Sequence, residues 1–225
     1  MRVVYFSQFK RKKMQKQIKV AVIGGTGKAG KYLVKHLLER GFFIKLLLRS
    51  PEAFNIVSPL IEIVKGDARD AASVRNLVEG VQIVISTLGQ PKGEPSIFSP
   101  ATKNVIRAMA ACNVSRYIVT TGLNVDVPGD NKNERVKMAT EWMRSHYPET
   151  TADRQLEYAE LAGSGIDWTL VRVPLIELTD LTVNIRVCLD DCPGDGISAT
   201  SLAEFLVTLV TDGTYGRKAL FISNE

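Results

Sequence analysis

The chain has 225 residues, 45% of them hydrophobic and 24% charged, the proportions of a globular protein with apolar surface enough for one substantial core. Its net charge of +5 does not mark a nucleic-acid binder: Arg2, Lys10, Arg11, Lys12 and Lys13 supply it, and the residues after them carry 24 basic against 24 acidic side chains. Nor does any segment reach the roughly 18 uncharged apolar residues of a membrane span.

Residues 1–13 read as a basic extension or a misassigned start, since Met14 directly follows them and opens a natural first strand. From Ile18 onward, short apolar runs alternate with longer helical patterns, the signature of βαβ units around a parallel sheet. Strands are expected at 18–23, 43–48, 61–64, 81–85, 116–120 and 168–171, rich in β-branched residues and short of polar alternation, as strands covered on both faces are. A helix at 28–40 places Tyr32, Leu33, Leu37 and Leu38 on one side and stops at Gly41. Further helices are expected at 72–78 and 101–112, then at 133–146 and 151–162 with an interruption at Pro148. A helix at 201–210 and a short strand at 219–222 close the series. No repeat or linker divides the chain, so residues 14–225 are expected to form one Rossmann-type doubly wound α/β domain, with a small C-terminal portion bordering a substrate pocket. Trp142 and Trp168 are expected in the core, and His146 and Tyr147 at a helix end.

The first strand runs directly into Gly24, Gly25, Thr26, Gly27, Lys28, Ala29 and Gly30 and then a helix, the context in which a glycine pattern becomes evidence for a dinucleotide. Such glycines allow a tight turn, the approach of backbone amides to a pyrophosphate, and close packing of helix on strand. Amides at the helix start then face the phosphates with a favourable dipole. The bland alternative is an ordinary strand-to-helix turn. About 20 residues further on, an NAD site offers an acid to the ribose hydroxyls, but here the second strand ends in Arg49 and Ser50. A planar guanidinium there suits a 2′-phosphate, with Lys28 as a second cation, so NADP(H) is expected and NAD(H) is the alternative. After the third strand, Gly66 and Asp67 offer a carboxylate to the adenine amino group, unless Asp67 and Asp70 only cap a helix. Ser86, Thr87, Leu88 and Gly89 end the fourth strand at the carboxyl edge where such sheets bind ligands, and the loop 90–100 follows. Three cysteines and two histidines lie in no zinc-like spacing, and no metal site is expected.

With these segments, and with the run from Ser164 to Arg172, the chain resembles the atypical short-chain dehydrogenases/reductases from about Met14 to its end. It is most similar to the small NAD(P)H-binding group that takes in biliverdin reductase B, the flavin reductases and the NmrA-like redox regulators. The resemblance implies a nicotinamide lying over the carboxyl ends of the middle strands. The departures matter as much. Most of that superfamily pairs a Tyr with a Lys four residues later, and none of the six tyrosines here has Lys at that spacing. Counting back from Ser164 and Gly165, the two positions fall on Thr150 and Arg154, and Arg154 could bind ribose or phosphate but donates no proton at neutral pH.

The resemblance points instead to a small hydroxyl residue ending the fifth strand, in the run Thr120, Thr121, Gly122, with Thr121 as the catalytic candidate and Thr120 beside the cofactor. The expectation is an NADP(H)-dependent reductase acting on a planar conjugated acceptor such as a flavin or quinone. Hydride then goes to one ring atom and a water proton to another, so no dedicated acid is needed. The alternative is a non-catalytic NADP(H) sensor. Either reading expects a soluble cytoplasmic monomer or homodimer whose partner is a small molecule, with no nucleic acid and no membrane.

Overall fold

The computed structural model describes residues 18–225, so the expected basic extension lies outside the described residues. In chain order the elements are β1 (Lys19–Ile23), α1 (Gly30–Glu39), β2 (Phe43–Leu48), a 3-10 turn (Pro51–Ala53), β3 (Ile61–Lys65), α2 (Ala71–Val78) and β4 (Ile83–Ser86). They continue with α3 (Phe98–Cys112), β5 (Arg116–Gly122), α4 (Glu134–His146), α5 (Pro148–Gly163) and β6 (Asp167–Val173). Last come β7 (Leu175–Glu177), β8 (Ile185–Cys188), β9 (Gly196–Ser198), α6 (Ala199–Thr208) and β10 (Lys218–Asn224).

Among the described residues one sheet has eight strands in the order β3-β2-β1-β4-β5-β6-β10-β8. All neighbours are parallel except β10 and β8. The chain winds outward from β1 to β3 and then crosses back to β4, so the order reverses between β1 and β4. That reversal leaves a crevice at the carboxyl ends of these two strands. The register keeps the ends level: Ile23 lies beside Leu47 of β2 and Ser86 of β4.

Period-two alternation builds both layers. On β1, Val20 and Val22 face α1 and α6 through Leu33, Leu37, Leu202 and Leu206, while Ala21 and Ile23 face α2 and α3 through Leu77, Phe98 and Val105. Lys45 sits in the covered strand β2 because its Nζ donates to the carbonyls of Asn76 and Glu79 at 2.6 and 3.1 Å, satisfying the end of α2.

Several elements differ from the sequence expectation for identifiable reasons. The third helix begins at Phe98 rather than 101, because Asp153 of α5 accepts from the Phe98 and Ser99 amides and caps it from a distant part of the chain. Pro148 begins α5 at its first position, where a missing N–H costs nothing, instead of only breaking a helix. β5 and β6 each run two residues past their expected ends and so take in Thr121 and Arg172. The short strands β7, β8 and β9 were not expected. Trp168 is buried in the core, but Trp142 is 52% exposed, contrary to expectation, and stacks on His146 at a centroid distance of 4.5 Å.

Candidate cofactor-binding site

The site grows from the turn after β1. Gly24 has φ of +79°, and a Cβ there would lie 2.7 Å from the Thr87 carbonyl oxygen. The Gly27 amide donates to the Gly24 carbonyl at 2.9 Å and closes the turn. At Gly30 a Cβ would fall 2.0 Å from the Gly24 oxygen, so α1 can start this close to the loop only with glycine at its first position. α1 also starts without a side-chain cap and without an acid in its first turn. Its leading amides and the positive end of its dipole are thus left for an external anion.

Above this turn lies a cavity of about 600 Å³, bounded by β1, β2, β3 and the segment after β4. Of the residues expected to hold a cofactor, Gly24, Thr26, Gly27, Arg49, Ser50, Gly66, Asp67, Leu88 and Gly89 line it. Gly25 and Gly30 are packed beneath it, Ala29 is half-buried, and Lys28 is exposed outside the lining. Ser86 and Thr87 are buried at the end of β4, where the Thr87 hydroxyl donates to the Gly24 carbonyl at 3.3 Å and ties the two loops together. Thr120, Thr121 and Arg154 do not line the cavity.

At the rim, charges are paired. Asp70, not Asp67, caps α2, accepting from the Ser73 amide at 2.8 Å. Asp67 instead accepts from the Arg69 amide at 2.8 Å, which leaves its carboxylate at the cavity wall. Arg49 Nη1 lies 2.9 Å from Glu94 Oε1, and Arg69 Nη1 lies 2.8 Å from Glu94 Oε2 and 3.4 Å from Asp67. Hydrogen bonds from Arg49, then Arg69, hold the Glu94 carboxyl below the usual carboxylate range, and the Glu94 bond raises Arg49 in turn. Sequence reasoning missed Arg69 and Glu94. Their only signal was position: Arg69 follows Gly66 and Asp67 on the βα turn, and Glu94 lies in the loop flagged at the carboxyl edge.

Deeper in the molecule, Arg154 is committed to the protein. Its guanidinium donates to the Thr120 and Leu88 carbonyls at 3.1 and 2.9 Å, pairs with Glu157 at 2.6 Å and stacks 3.2 Å above the Phe98 ring. The role expected for it at the cofactor is replaced in this structure by a tie between the ends of β4 and β5 and α5. Glu157 also accepts from Thr102, next to the Tyr117 hydroxyl. Burial, with the Glu157 charge adding to it, pushes the Tyr117 phenol well above its ordinary range, so it stays protonated. The Thr120 hydroxyl donates to the Ser86 carbonyl at 3.3 Å. Thr121 is 3% exposed, and its hydroxyl has no hydrogen-bond partner among the described residues. Such a group costs stability unless a ligand satisfies it.

The residues present suit a dinucleotide: a cradle that a single Cβ would fill, an uncapped helix start, and a cation, Arg49, at the end of β2. The NAD(P)H-binding family model matches residues 24–213. The chain belongs to this NAD(P)H-binding family. It is 27% identical to cinnamoyl-CoA reductase 1 of Petunia hybrida over 192 residues, covering 75% of this chain and 58% of the petunia enzyme. It is 28% identical to an anthocyanidin reductase of Arabidopsis thaliana over 120 residues, 46% of this chain and 35% of that one. The chain therefore spans 58% of the length of one of these curated relatives and 35% of the other. In fold it is similar to a short-chain dehydrogenase/reductase of Veillonella parvula solved in complex with NADP, with a TM-score of 0.76 at 14% identity over 92% of this chain and 94% of that one. The chain is a Rossmann-fold member of the NAD(P)H-binding family. None of its described helices is long and apolar enough to cross a membrane.

Proposed function

We propose that the chain is an NADP(H)-dependent reductase whose acceptor is a planar conjugated ring system such as a flavin or a quinone. The observation that carries this reading is the cavity at the switch point, which joins the uncapped start of α1 to Arg49 and Ser50 at the end of β2. In this reading the loop from Gly24 to Gly30 holds the pyrophosphate on its amides. Arg49 and Ser50 hold the 2′-phosphate, and Asp67 accepts from the adenine. The segment Ser86 to Gly89 supports the ribose end. Bound NADPH supplies a hydride, leaving NADP+.

The acceptor class follows from what the chain lacks and what it keeps. Thr150 and Arg154 stand where a proton-donating Tyr and its Lys are usual, and Arg154 is turned onto backbone carbonyls. A ring that takes hydride at one atom and a water proton at another needs no such donor, so holding two rings in contact suffices. The Thr121 hydroxyl, buried outside the cavity lining and without a partner among the described residues, would bond the nicotinamide or the acceptor once uncovered, and so fix their approach. The reductases among the relatives support an enzymatic reading, and no observation here favours the sensor alternative.

The test is direct. Purified protein should bind NADPH in calorimetry and oxidise it faster than the blank with at least one member of a panel of flavins, quinones and tetrapyrroles. Tight binding with turnover no faster than the blank across the panel would overturn the reductase reading and leave only the cofactor site.

A further inference from the structure

The rim of the cavity holds an arrangement that the cofactor reading does not use. Glu94 offers one carboxylate oxygen to Arg49 and the other to Arg69, at 2.9 and 2.8 Å. The two arginines come from the ends of β2 and β3, and Glu94 comes from the segment after β4. That segment is stapled to itself. Gln90 Nε2 donates to the carbonyls of Pro91, Glu94 and Pro95 at 3.1, 2.8 and 3.3 Å, and Gly93 turns it with φ of +74°. Gln90 and Pro91 line the cavity, so the tight turn that carries Glu94 also forms one wall of it.

The charges at the rim balance: Arg49 and Arg69 face Asp67 and Glu94. A 2′-phosphate brings about −1.5 to −2 at neutral pH and cannot settle beside two carboxylates on the same pair of arginines without strong like-charge repulsion. One of the carboxylates has to leave. Asp67 is fixed to its own turn by the Arg69 amide, whereas the Glu94 carboxylate is held only by the two guanidinium groups. Two cations gripping separate oxygens of one small anion also make the donor set that a phosphate monoester fits, since it presents three acceptor oxygens.

We propose that Glu94 is an anionic stand-in for the 2′-phosphate: it spans Arg49 and Arg69 in the free protein, NADP(H) displaces it, and Arg69 becomes a second phosphate anchor. This rests on the NADP(H) reading of the cavity. Its consequence is a specificity device in which Glu94 lowers the preference for NADP(H) over NAD(H), because only the phosphorylated cofactor has to break the two ion pairs.

Calorimetry with 2′,5′-ADP and 5′-AMP isolates the phosphate, since the two ligands share the adenosine and its 5′-phosphate and differ only in the 2′-phosphate. Glu94→Gln is expected to tighten 2′,5′-ADP about tenfold, the order for release of two half-exposed ion pairs, and to change 5′-AMP by less than about twofold. In an Arg49→Gln background the same substitution should have a clearly smaller effect, because one of its two partners is gone. Arg69→Gln should weaken 2′,5′-ADP and spare 5′-AMP, with thermal melts confirming that each variant is folded. Equal changes for both ligands, or a weaker 2′,5′-ADP complex in Glu94→Gln, would make Glu94 a structural wall and overturn the proposal. If both ligands bind and neither responds to Glu94, this inference alone falls. If no form binds either ligand, the cofactor reading falls with it.

Discussion

Replacing Gly30 by Ala tests the turn on which the site is built. Two opposing effects have to be weighed. Alanine gains roughly 1 kcal/mol over glycine in a helix, but its Cβ would sit 2.0 Å from the Gly24 oxygen and 2.8 Å from the Gly24 carbon and the Gly25 Cα. All three are backbone atoms, so no side chain can rotate away. The turn and α1 must separate by about 1 Å or more to restore contact distance, and overpacking of this kind costs about 3 kcal/mol. The net loss is about 2 kcal/mol, which for a chain of this length lowers Tm by about 4–8 °C. The same separation moves the amides of the loop off the position they share with the start of α1, so NADPH binding should be lost. Gly163→Ala is the control. It changes the last residue of α5, outside the cavity lining, and a Cβ there meets nothing within 4 Å. Melting followed by circular dichroism and calorimetry with NADPH give both readouts. A Gly30→Ala protein that melts within about 1 °C of the parent and binds NADPH unchanged would refute the packing argument for the turn.

Asp153→Asn should destabilise the protein by about 2 kcal/mol, because the amide turns donors toward the Ser96, Phe98 and Ser99 groups that now donate to the carboxylate. Burial opposes ionisation of Asp153, but the bonds from Ser96, Ser99 and the Phe98 amide outweigh it and hold its pKa down. Its contribution is therefore complete above the unfolded carboxylate value of about 3.9 and is lost as pH falls through the lower folded value. Urea melts of the parent should show this acid loss, and those of Asp153→Asn should lack it. Asp130→Ala leaves Arg172 buried without its partner at 2.6 Å and should cost about 3–5 kcal/mol, while adding Arg172→Met should restore most of that; equal stability of the single and double variants would contradict it. Thr121→Val removes a buried hydroxyl that has no partner among the described residues, so it should raise stability by about 1 kcal/mol while lowering the rate of NADPH oxidation. A variant both less stable and fully active would show that the hydroxyl serves the fold.

What could be read from the sequence was what local chemistry imposes. The glycines of the turn follow from clashes with atoms a few residues away, and the crossover pattern follows from apolar periodicity within each element. The start of α3 could not be read in this way, since Asp153 caps it from 55 positions along the chain. Arg154 shows the same limit in reverse. Its place in the sequence pointed to ribose or phosphate, yet topology brings the Leu88 and Thr120 carbonyls and the Phe98 ring around it. Trp142 was expected inside because tryptophan is mostly apolar, but α4 turns that face outward and its ring finds only His146 and Tyr147.

The rim of the cavity joins these two cases. Arg49 was legible as a cation at the end of β2, but its meaning depends on Glu94 and Arg69, which lie 45 and 20 positions further on and meet it only because β2, β3 and β4 end at one edge of the sheet. A cation that faces solvent attracts a phosphate; a cation already paired with a carboxylate attracts one only as far as that carboxylate can be released. If Glu94 and a 2′-phosphate compete for the same guanidinium groups as proposed, cofactor preference in this protein is set by the difference between the two anions. The glycine run carries no information about that difference, because the pyrophosphate proposed to rest on it is common to both cofactors.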